Sequence, residues 1–66
     1  MPTNNIKVAR RKKELTQTRL AEMLGVKAQA INNWERCRAI PNYDKLKRLS
    51  EILEESIDYL LEQTKT

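Results

Sequence analysis

The stretch that decides the fold runs from Gln17 to Arg36 and reads QTRLAEMLGVKAQAINNWER. It contains Gly25, the only glycine of the 66-residue sequence. Apolar residues recur at helical spacing on both sides of this glycine. They are Leu20, Ala21 and Leu24 before it, and Val26, Ile31 and Trp34 after it. The pattern predicts two short helices that pack across a tight turn, which is the helix-turn-helix arrangement.

The second of these helices has an unusual solvent-facing side. At 100° per residue, five of its residues share one arc of about 140°, and Ile31 and Trp34 lie on the opposite side. The residues of the exposed arc are Ala28, Gln29, Asn32, Asn33 and Arg36. Amides and a guanidinium on an exposed helix suit the edges of base pairs in a major groove. The segment at about 28–36 is therefore predicted to bind DNA.

Four residues of this arc are candidates for base recognition. Gln29 has the strongest claim, because an amide can pair with both N6 and N7 of adenine. Asn32 and Asn33 have the same chemistry at shorter reach, and we predict that one contacts a base and the other a phosphate. Ala28 could pack on a thymine methyl, or it could simply give the backbone clearance. The alternative for the three amides is a plain solvated surface, but tandem asparagines disfavour a helix and need some reason.

The charge distribution predicts which residues contact phosphates. Residues 1–48 carry 12 Lys/Arg and 4 Asp/Glu, whereas residues 49–66 carry 1 and 5. A basic body with an acidic end indicates one face that binds a polyanion and a second face that is kept away from it. The candidate phosphate contacts on this basis are Arg11, Lys27, Arg36, Arg38 and Lys45. Gln17 and Tyr43 are two further candidates, because their amide and hydroxyl stand at the starts of the second and fourth helices, where backbone N–H groups can also meet a phosphate.

The whole chain is expected to be all-α, because β-branched residues are scattered and never alternate. The predicted helices are about Asn5–Glu14, Gln17–Leu24, about Ala28–Arg36, Tyr43 to about Leu53, and a short fifth helix after Ser56. Their expected N-caps are Asn4, Thr16, Asn42 and Ser56. We expect Val8 to add to the inner face of the first helix, and Ile57, Leu60 and Leu61 to form that of the fifth.

Composition excludes several classes of protein. Sixty-six residues make one domain at most, and we treat 1–66 as a single domain. With no histidine and only Cys37, the chain offers no zinc cluster and no Cys–His catalytic pair, so we expect no enzyme, no metal and no cofactor. No small-molecule site is evident. An unpaired thiol, no apolar stretch of about 20 residues and no signal-peptide region predict a cytoplasmic protein without a membrane segment.

Several blocks of the sequence together resemble the phage-repressor-like helix-turn-helix family of the Cro and XRE type. The blocks are LTQTRLAEMLGV, INNWER, Pro41, LKRLSEIL and SIDYLL, within a match from Ile6 to about Leu61. The resemblance implies a five-helix lambda-repressor-like bundle whose third helix enters the major groove, and a transcriptional regulator that is usually a dimer on a pseudo-palindromic operator. It also implies a buried salt bridge between Arg10 and Glu35.

The chain departs from this family at four positions. The family usually has glycine where Glu14, Cys37 and Glu54 stand, so the left-handed turns at these helix ends are in question. It favours an acidic residue where Arg19 stands, three residues after the Thr16 cap. That change removes a capping box and adds a cation near the expected DNA face.

The function predicted from these features is sequence-specific transcriptional regulation, in the form of a repressor that reads an operator half-site. The partners would be double-stranded DNA and a second copy of the chain, at least on DNA. We expect Tyr59, Leu61 and the loop around Ile40 to form the dimer surface. The alternative is an antitoxin-like or bridging module on the same fold, with a protein as its main partner and DNA as a secondary one. An exposed apolar patch on the fourth and fifth helices would favour that alternative.

Overall fold

The computed structural model describes residues 3–64. Within that range the chain forms five helices and two very short strands. The helices are α1 (Ile6–Lys12), α2 (Gln17–Leu24), α3 (Ala28–Glu35), α4 (Tyr43–Leu53) and α5 (Ile57–Leu61). The predicted helical bundle is confirmed.

The expectation that the chain has no strand is wrong. Strand β1 (Thr3–Asn4) pairs antiparallel with β2 (Gln63–Thr64) at the two ends of the described chain. The backbone N–H of Asn5 continues this pairing by donating to the carbonyl of Leu60 at 3.2 Å. Two residues are too few to show an alternating pattern in the sequence. The strands form because α1 and α5 bring the ends of the chain together.

Helix α1 is shorter than predicted, and its start is organised differently. Asn5, not Asn4, is the N-cap residue, and its side chain makes no capping hydrogen bond. The side chain of Asn4 instead accepts from the N–H of Ile6 at 3.0 Å and donates to the carbonyl of Trp34 at 2.6 Å. Asn4 therefore ties the start of α1 to the end of α3. Val8 is 45% exposed, because the buried stripe of α1 runs through Ile6 and Ala9.

The other three predicted N-caps are confirmed. Each side-chain oxygen accepts the backbone N–H three residues later, which satisfies one of the unpaired donors at a helix start. The pairs are Thr16 with Arg19, Asn42 with Lys45, and Ser56 with Tyr59, at 3.0, 2.9 and 3.1 Å. Gly25 ends α2 with φ +71°, the left-handed conformation that the sequence predicted for it.

The three positions where the family usually has glycine keep the left-handed conformation without it. Glu14, Cys37 and Glu54 have φ of +57°, +60° and +56°. For a residue with a Cβ this conformation costs about 1–2 kcal/mol, because Cβ approaches the next carbonyl oxygen. The packed helices on either side impose these turns. Each turn is therefore a local source of strain.

Changing Glu14 to glycine is expected to raise the free energy of unfolding by about 0.5–1 kcal/mol. Glycine removes the Cβ strain, and the greater freedom of the unfolded chain cancels only part of the gain. Glu14→Ala is the matched control, because alanine keeps the Cβ and should give no such gain. Urea denaturation measures both variants. A glycine variant no more stable than the alanine variant would contradict the strain argument.

All five helices contribute to one core. Its largest fully buried side chains are Ile6, Leu20, Ile31, Leu49, Leu53 and Leu60. In α5 only Leu60 is buried, and the predicted inward residues Ile57 and Leu61 are half-buried, because a five-residue helix presents little more than one position to the core. Within the described part of the chain, no helix has the length and apolarity needed to cross a membrane.

Candidate nucleic-acid interface

Helix α3 separates its polar and apolar residues as predicted. Ile31 is fully buried and Trp34 is 7% exposed, so these two residues fix the helix on the bundle. On the other side Gln29 is exposed, and Asn32 and Asn33 are half-buried. Arg36 is exposed and follows the last helical residue, and Ala28 is half-buried at the first. The residues predicted to contact bases and flanking phosphates therefore lie together on one accessible side of α3.

Two of the amides on this side contact each other. The amide nitrogen of Gln29 donates to the side-chain oxygen of Asn33 at 3.2 Å, one helical turn away. Such a pair adds about 0.2–0.5 kcal/mol to an isolated helix. Gln29 keeps its oxygen and one N–H for other partners, and Asn33 keeps both N–H groups. The pair can therefore present donors and an acceptor to base edges without leaving the helix surface.

The structure contains the ion pair that the family resemblance implied. Arg10 Nε donates to Glu35 Oε2 at 2.6 Å and Arg10 Nη2 donates to Glu35 Oε1 at 3.3 Å. The two residues are 8% and 4% exposed. The third arm of the guanidinium, Nη1, donates to the carbonyl of Leu15 at 2.7 Å. One side chain of α1 thus holds both the end of α3 and the segment that leads into α2.

Gln17 joins this buried network, a link that the sequence did not indicate. It is the first residue of α2, and its amide nitrogen donates to Glu35 Oε1 at 3.0 Å. Gln17 was predicted to contact a phosphate through its amide and the helix N-terminus. The observed contact uses one of the two N–H groups of the amide. The other N–H group and the backbone N–H remain available to a phosphate. The contact between Glu35 and this side chain becomes apparent only when α2 is packed against α3.

Lys45 was predicted as a phosphate contact, and in the structure its ammonium also makes a hydrogen bond within the fold. Its ammonium donates to the carbonyl of Leu24 at 3.2 Å, and Arg48 Nη2 donates to the carbonyl of Met23 at 3.2 Å. Both acceptors are among the last carbonyls of α2, which have no partner within their own helix. Arg48 was not singled out from the sequence. The sequence shows that Arg48 follows Lys45 by three residues on the same helix. It does not show that both side chains reach the end of α2.

Four of the predicted phosphate-binding cations are exposed and take part in no ion pair within residues 3–64. They are Arg11, Lys27, Arg36 and Arg38. Lys27 is also the N-cap residue of α3, and it leaves the first N–H groups of that helix without a side-chain cap. Tyr43, the remaining phosphate candidate, is 69% exposed in the first turn of α4. Three of these cations, Lys27, Arg36 and Arg38, flank α3 in the sequence.

The acidic end of the chain is partly neutralised by the basic run of α1. Lys12 lies 3.9 Å from Glu55, and Lys13 forms an ion pair with Glu54. The carboxylates that follow α4 therefore face the end of α1. Arg19, which replaces the acidic residue of a capping box, lies 3.7 Å from Glu22 on the surface of α2.

An apolar groove of about 130 Å³ lies beside the loop between α3 and α4. Its lining residues are Asn4, Cys37, Ala39, Ile40, Pro41, Leu61 and Gln63. Ile40 is 77% exposed, so the groove has an apolar rim. The structure brings together two parts of the predicted dimer surface, Ile40 and Leu61. It does not place Tyr59 with them, because that side chain is half-buried against the core.

Comparison with known proteins identifies relatives of the whole helical segment. A family model described as helix-turn-helix matches residues 6–60. An uncharacterized HTH-type transcriptional regulator, YqaE of Bacillus subtilis (strain 168), is 39% identical over 61 residues, which are 92% of this chain and 53% of the relative. Repressor protein C2 of Salmonella phage P22 is 43% identical over 56 residues, 85% of this chain and 26% of the repressor. The chain thus spans about half or less of the length of these two relatives.

Solved structures of the same phage repressor are similar in three dimensions. The crystal structure of the P22 c2 repressor in complex with a synthetic operator superposes with a TM-score of 0.81 and 41% identity, covering 88% of both chains. The solution structure of its DNA-binding domain gives a TM-score of 0.77 and 42% identity, covering 86% of this chain and 75% of that domain.

Proposed function

The chain belongs to the helix-turn-helix family, and from this membership we propose that it is a sequence-specific DNA-binding transcriptional regulator. The observation that carries the proposal is the construction of α3. Its apolar side is buried through Ile31 and Trp34, and its amide-bearing side is accessible. The similarity to a repressor solved on its operator supports the same use of this helix.

The proposed binding mode places α3 in the major groove of B-DNA. Gln29 pairs with a base through its amide, and one of Asn32 and Asn33 contacts a second base while the other contacts a phosphate. Lys27 and Arg36, at the two ends of the helix, contact the flanking phosphates and fix its position along the duplex. Occupancy of an operator would then repress transcription by excluding the polymerase. A cytoplasmic location is part of the same proposal.

We propose further that two copies bind together on DNA. The support is the groove that Ile40 and Leu61 line, because the exposed Ile40 side chain can be buried there against a second copy of the chain. Two copies would also double the base contacts and match a two-fold symmetric site. Sedimentation at several concentrations, with and without the duplex, tests this proposal. A wild-type chain that stays monomeric on a two-fold symmetric duplex would contradict it.

The second candidate function is a protein-binding module with DNA as a secondary partner. The same exposed Ile40 and groove favour it, because they would serve a foreign protein equally well. The exposed cations that flank α3, Lys27, Arg36 and Arg38, favour the regulator. The two candidates differ in one simple respect. Only a regulator requires a preferred DNA sequence.

Selection from a pool of random duplexes is the experiment that separates them. A regulator should enrich a short motif, and a pair of copies should enrich one with two-fold symmetry. Retention that is equal for all sequences, with no enriched motif, would overturn the proposal of a specific regulator.

Two single substitutions should affect the selected site differently. Gln29→Ala should relax preference at one base pair and weaken binding by about 1–3 kcal/mol, because a base contact is lost. Lys27→Ala should weaken all sequences alike, because a phosphate contact carries no sequence information. Lys12→Ala is the matched control for charge: Lys12 faces Glu55, so its loss should leave DNA affinity unchanged. Anisotropy titrations on the selected duplex and on single-base variants of it measure all three.

A further inference from the structure

Two adjacent asparagines near the start of the chain, Asn4 and Asn5, are buried, with 6% and 8% of their surface exposed. Burying a side-chain amide is unfavourable unless its polar atoms find partners within the fold. In both residues the amide nitrogen donates to a backbone carbonyl on a distant helix. The two side chains therefore join parts of the fold that are far apart in the sequence.

Asn4 holds the end of α3. Its amide nitrogen donates to the carbonyl of Trp34 at 2.6 Å. The same carbonyl accepts from the backbone N–H of Cys37 at 3.2 Å. It is one of the last carbonyls of α3, which have no partner inside their own helix. The turn of α3 that contains Asn33, one of the proposed DNA contacts, is therefore fixed to β1.

Asn5 and the strand pair hold the same segment to α5. The amide nitrogen of Asn5 donates to the carbonyl of Tyr59 at 2.9 Å, and its backbone N–H donates to the carbonyl of Leu60 at 3.2 Å. Asn4 itself pairs with Gln63 in the two-stranded sheet. This segment of two residues is thus hydrogen-bonded to the end of α3 on one side, and to α5 and β2 on the other.

The groove proposed to receive a second copy lies against this connection. Asn4 and Cys37 line the groove, and both donate to the carbonyl of Trp34. Leu61 at the end of α5 and Gln63 in β2 line it as well. The groove and the end of α3 are therefore joined by hydrogen bonds between buried groups, which make a stiffer link than a solvated loop would.

The separation of the two α3 helices decides which duplex a pair of copies can bind. Inserting one base pair between two half-sites moves them apart by about 3.4 Å and turns one against the other by about 34°. A pair can favour one spacing only if α3 is held rigidly relative to the surface through which the copies meet. A looser link would let α3 follow the half-sites over several spacings.

We propose that Asn4 is a positioning residue that sets the spacing between half-sites. Its amide fixes the end of α3 to the strand pair, and hence to the groove, so that two copies present their α3 helices at one separation. Asn4 acts through α3 and makes no contact with DNA itself. The proposal rests on the proposed function, because it assumes that two copies bind a duplex together.

The test removes the donor of Asn4 and keeps its acceptor. In Asn4→Asp the carboxylate can still accept from the N–H of Ile6, but it has no N–H for the carbonyl of Trp34. Gln63→Glu is the matched control, because it exchanges an amide for a carboxylate at the residue that pairs with Asn4 in the sheet. Affinity is measured on the selected half-site, on the full site, and on full sites with one base pair inserted or removed between the half-sites.

The wild-type chain should bind the full site of selected spacing more tightly than either altered site. Asn4→Asp should bind the half-site as tightly as wild type does, because Ile31 and Trp34 still anchor α3 in the core. Its affinity for the selected full site should fall about fivefold, as expected when one hydrogen bond is lost. Its preference over the altered spacings should shrink by the same factor. Gln63→Glu should match wild type on every duplex.

Each other outcome overturns one claim. Equal losses on the half-site and the full site would overturn the proposal, because Asn4 would then support α3 as a whole. An Asn4→Asp chain with the wild-type preference among spacings would overturn it as well. A wild-type chain that enriches no motif overturns the proposed function. One that enriches half-sites at no fixed spacing overturns only the role of Asn4, and sequence-specific binding stands.

A second variant and a measurement on wild type cover the case in which Asn4→Asp does not fold. Asn4→Ser introduces no charge, and its hydroxyl can accept from Ile6 but is too short to reach Trp34, so it should give the same pattern of affinities. If it also fails to fold, NMR relaxation of the wild-type side-chain amides decides. The Asn4 amide should be as rigid as the backbone, and mobility equal to that of the exposed Gln63 amide would overturn the proposal.

Discussion

Changing Arg10 alone to methionine is expected to lower the free energy of unfolding by about 3–5 kcal/mol. The substitution leaves the Glu35 carboxylate buried, with the amide of Gln17 as its only remaining side-chain donor among the described contacts. It also removes the donor to the carbonyl of Leu15, which precedes α2. Breaking one side of a buried pair is far more harmful than replacing both sides, because an uncompensated charge stays in the interior.

Urea denaturation followed by circular dichroism measures this loss. A domain of this size has a total stability of roughly 3–10 kcal/mol, so the single variant should lose about a third of it or more. Lys12→Met is the control, because the Lys12 side chain is 65% exposed and its loss should change stability by less than about 0.5 kcal/mol. If Arg10→Met lowered the free energy of unfolding by less than about 1 kcal/mol, the argument that it leaves a buried, uncompensated Glu35 carboxylate would be contradicted.

Raising the salt concentration from 50 to 200 mM is expected to weaken binding to a half-site duplex by about 100-fold. Four of the predicted phosphate-binding cations are exposed and take part in no ion pair within the described residues: Arg11, Lys27, Arg36 and Arg38. If each neutralises one phosphate, the slope of log affinity against log salt is about −3.6. Two copies on a full site should double that slope, and the same change of salt should then weaken binding by about 10⁴-fold.

Titrations at several salt concentrations on half-site and full-site duplexes measure the two slopes. Arg38→Ala should reduce the half-site slope by about 1, whereas Lys13→Ala should not, because Lys13 is paired with Glu54 at the acidic end. A half-site slope no steeper than about −1 would contradict the proposed phosphate-binding surface. Equal slopes on the two duplexes would contradict binding by a pair.

The sequence predicts most of this fold because its local signals are strong. Thr16, Asn42 and Ser56 each stand directly before a helical apolar pattern, where a short polar side chain satisfies a backbone N–H. Gly25 is the only residue that adopts a left-handed turn without a Cβ penalty. These features depend on neighbours within four residues, so they can be deduced from one chain.

The features that the sequence did not predict all depend on contacts between distant segments. Strand β1 forms only because β2 lies beside it, some sixty residues later. Lys45 donates to the carbonyl of Leu24 at the end of α2, because α4 packs beside that helix end. The left-handed turn at Cys37 persists without glycine because the flanking elements impose it. Short-range sequence patterns contain no information on these tertiary contacts.

The candidate site divides in the same way. The helical period alone places Gln29, Asn32 and Asn33 on the accessible side of α3, and the structure agrees with that placement. The role of Gln17 could not be deduced so fully. Its position at the start of a helix predicted a phosphate contact, but its orientation depends on Glu35, 18 residues away on another helix.

NMR mapping of the chain on its selected duplex tests the central claim most directly, because the side-chain amides report on the α3 surface themselves. The account predicts that the amide resonances of Gln29, Asn32 and Asn33 shift strongly on binding, together with backbone signals at the start of α2. Signals of the acidic segment at 54–58 should stay in place. Shifts centred on the groove around Ile40, with the three α3 amides unchanged, would contradict the account.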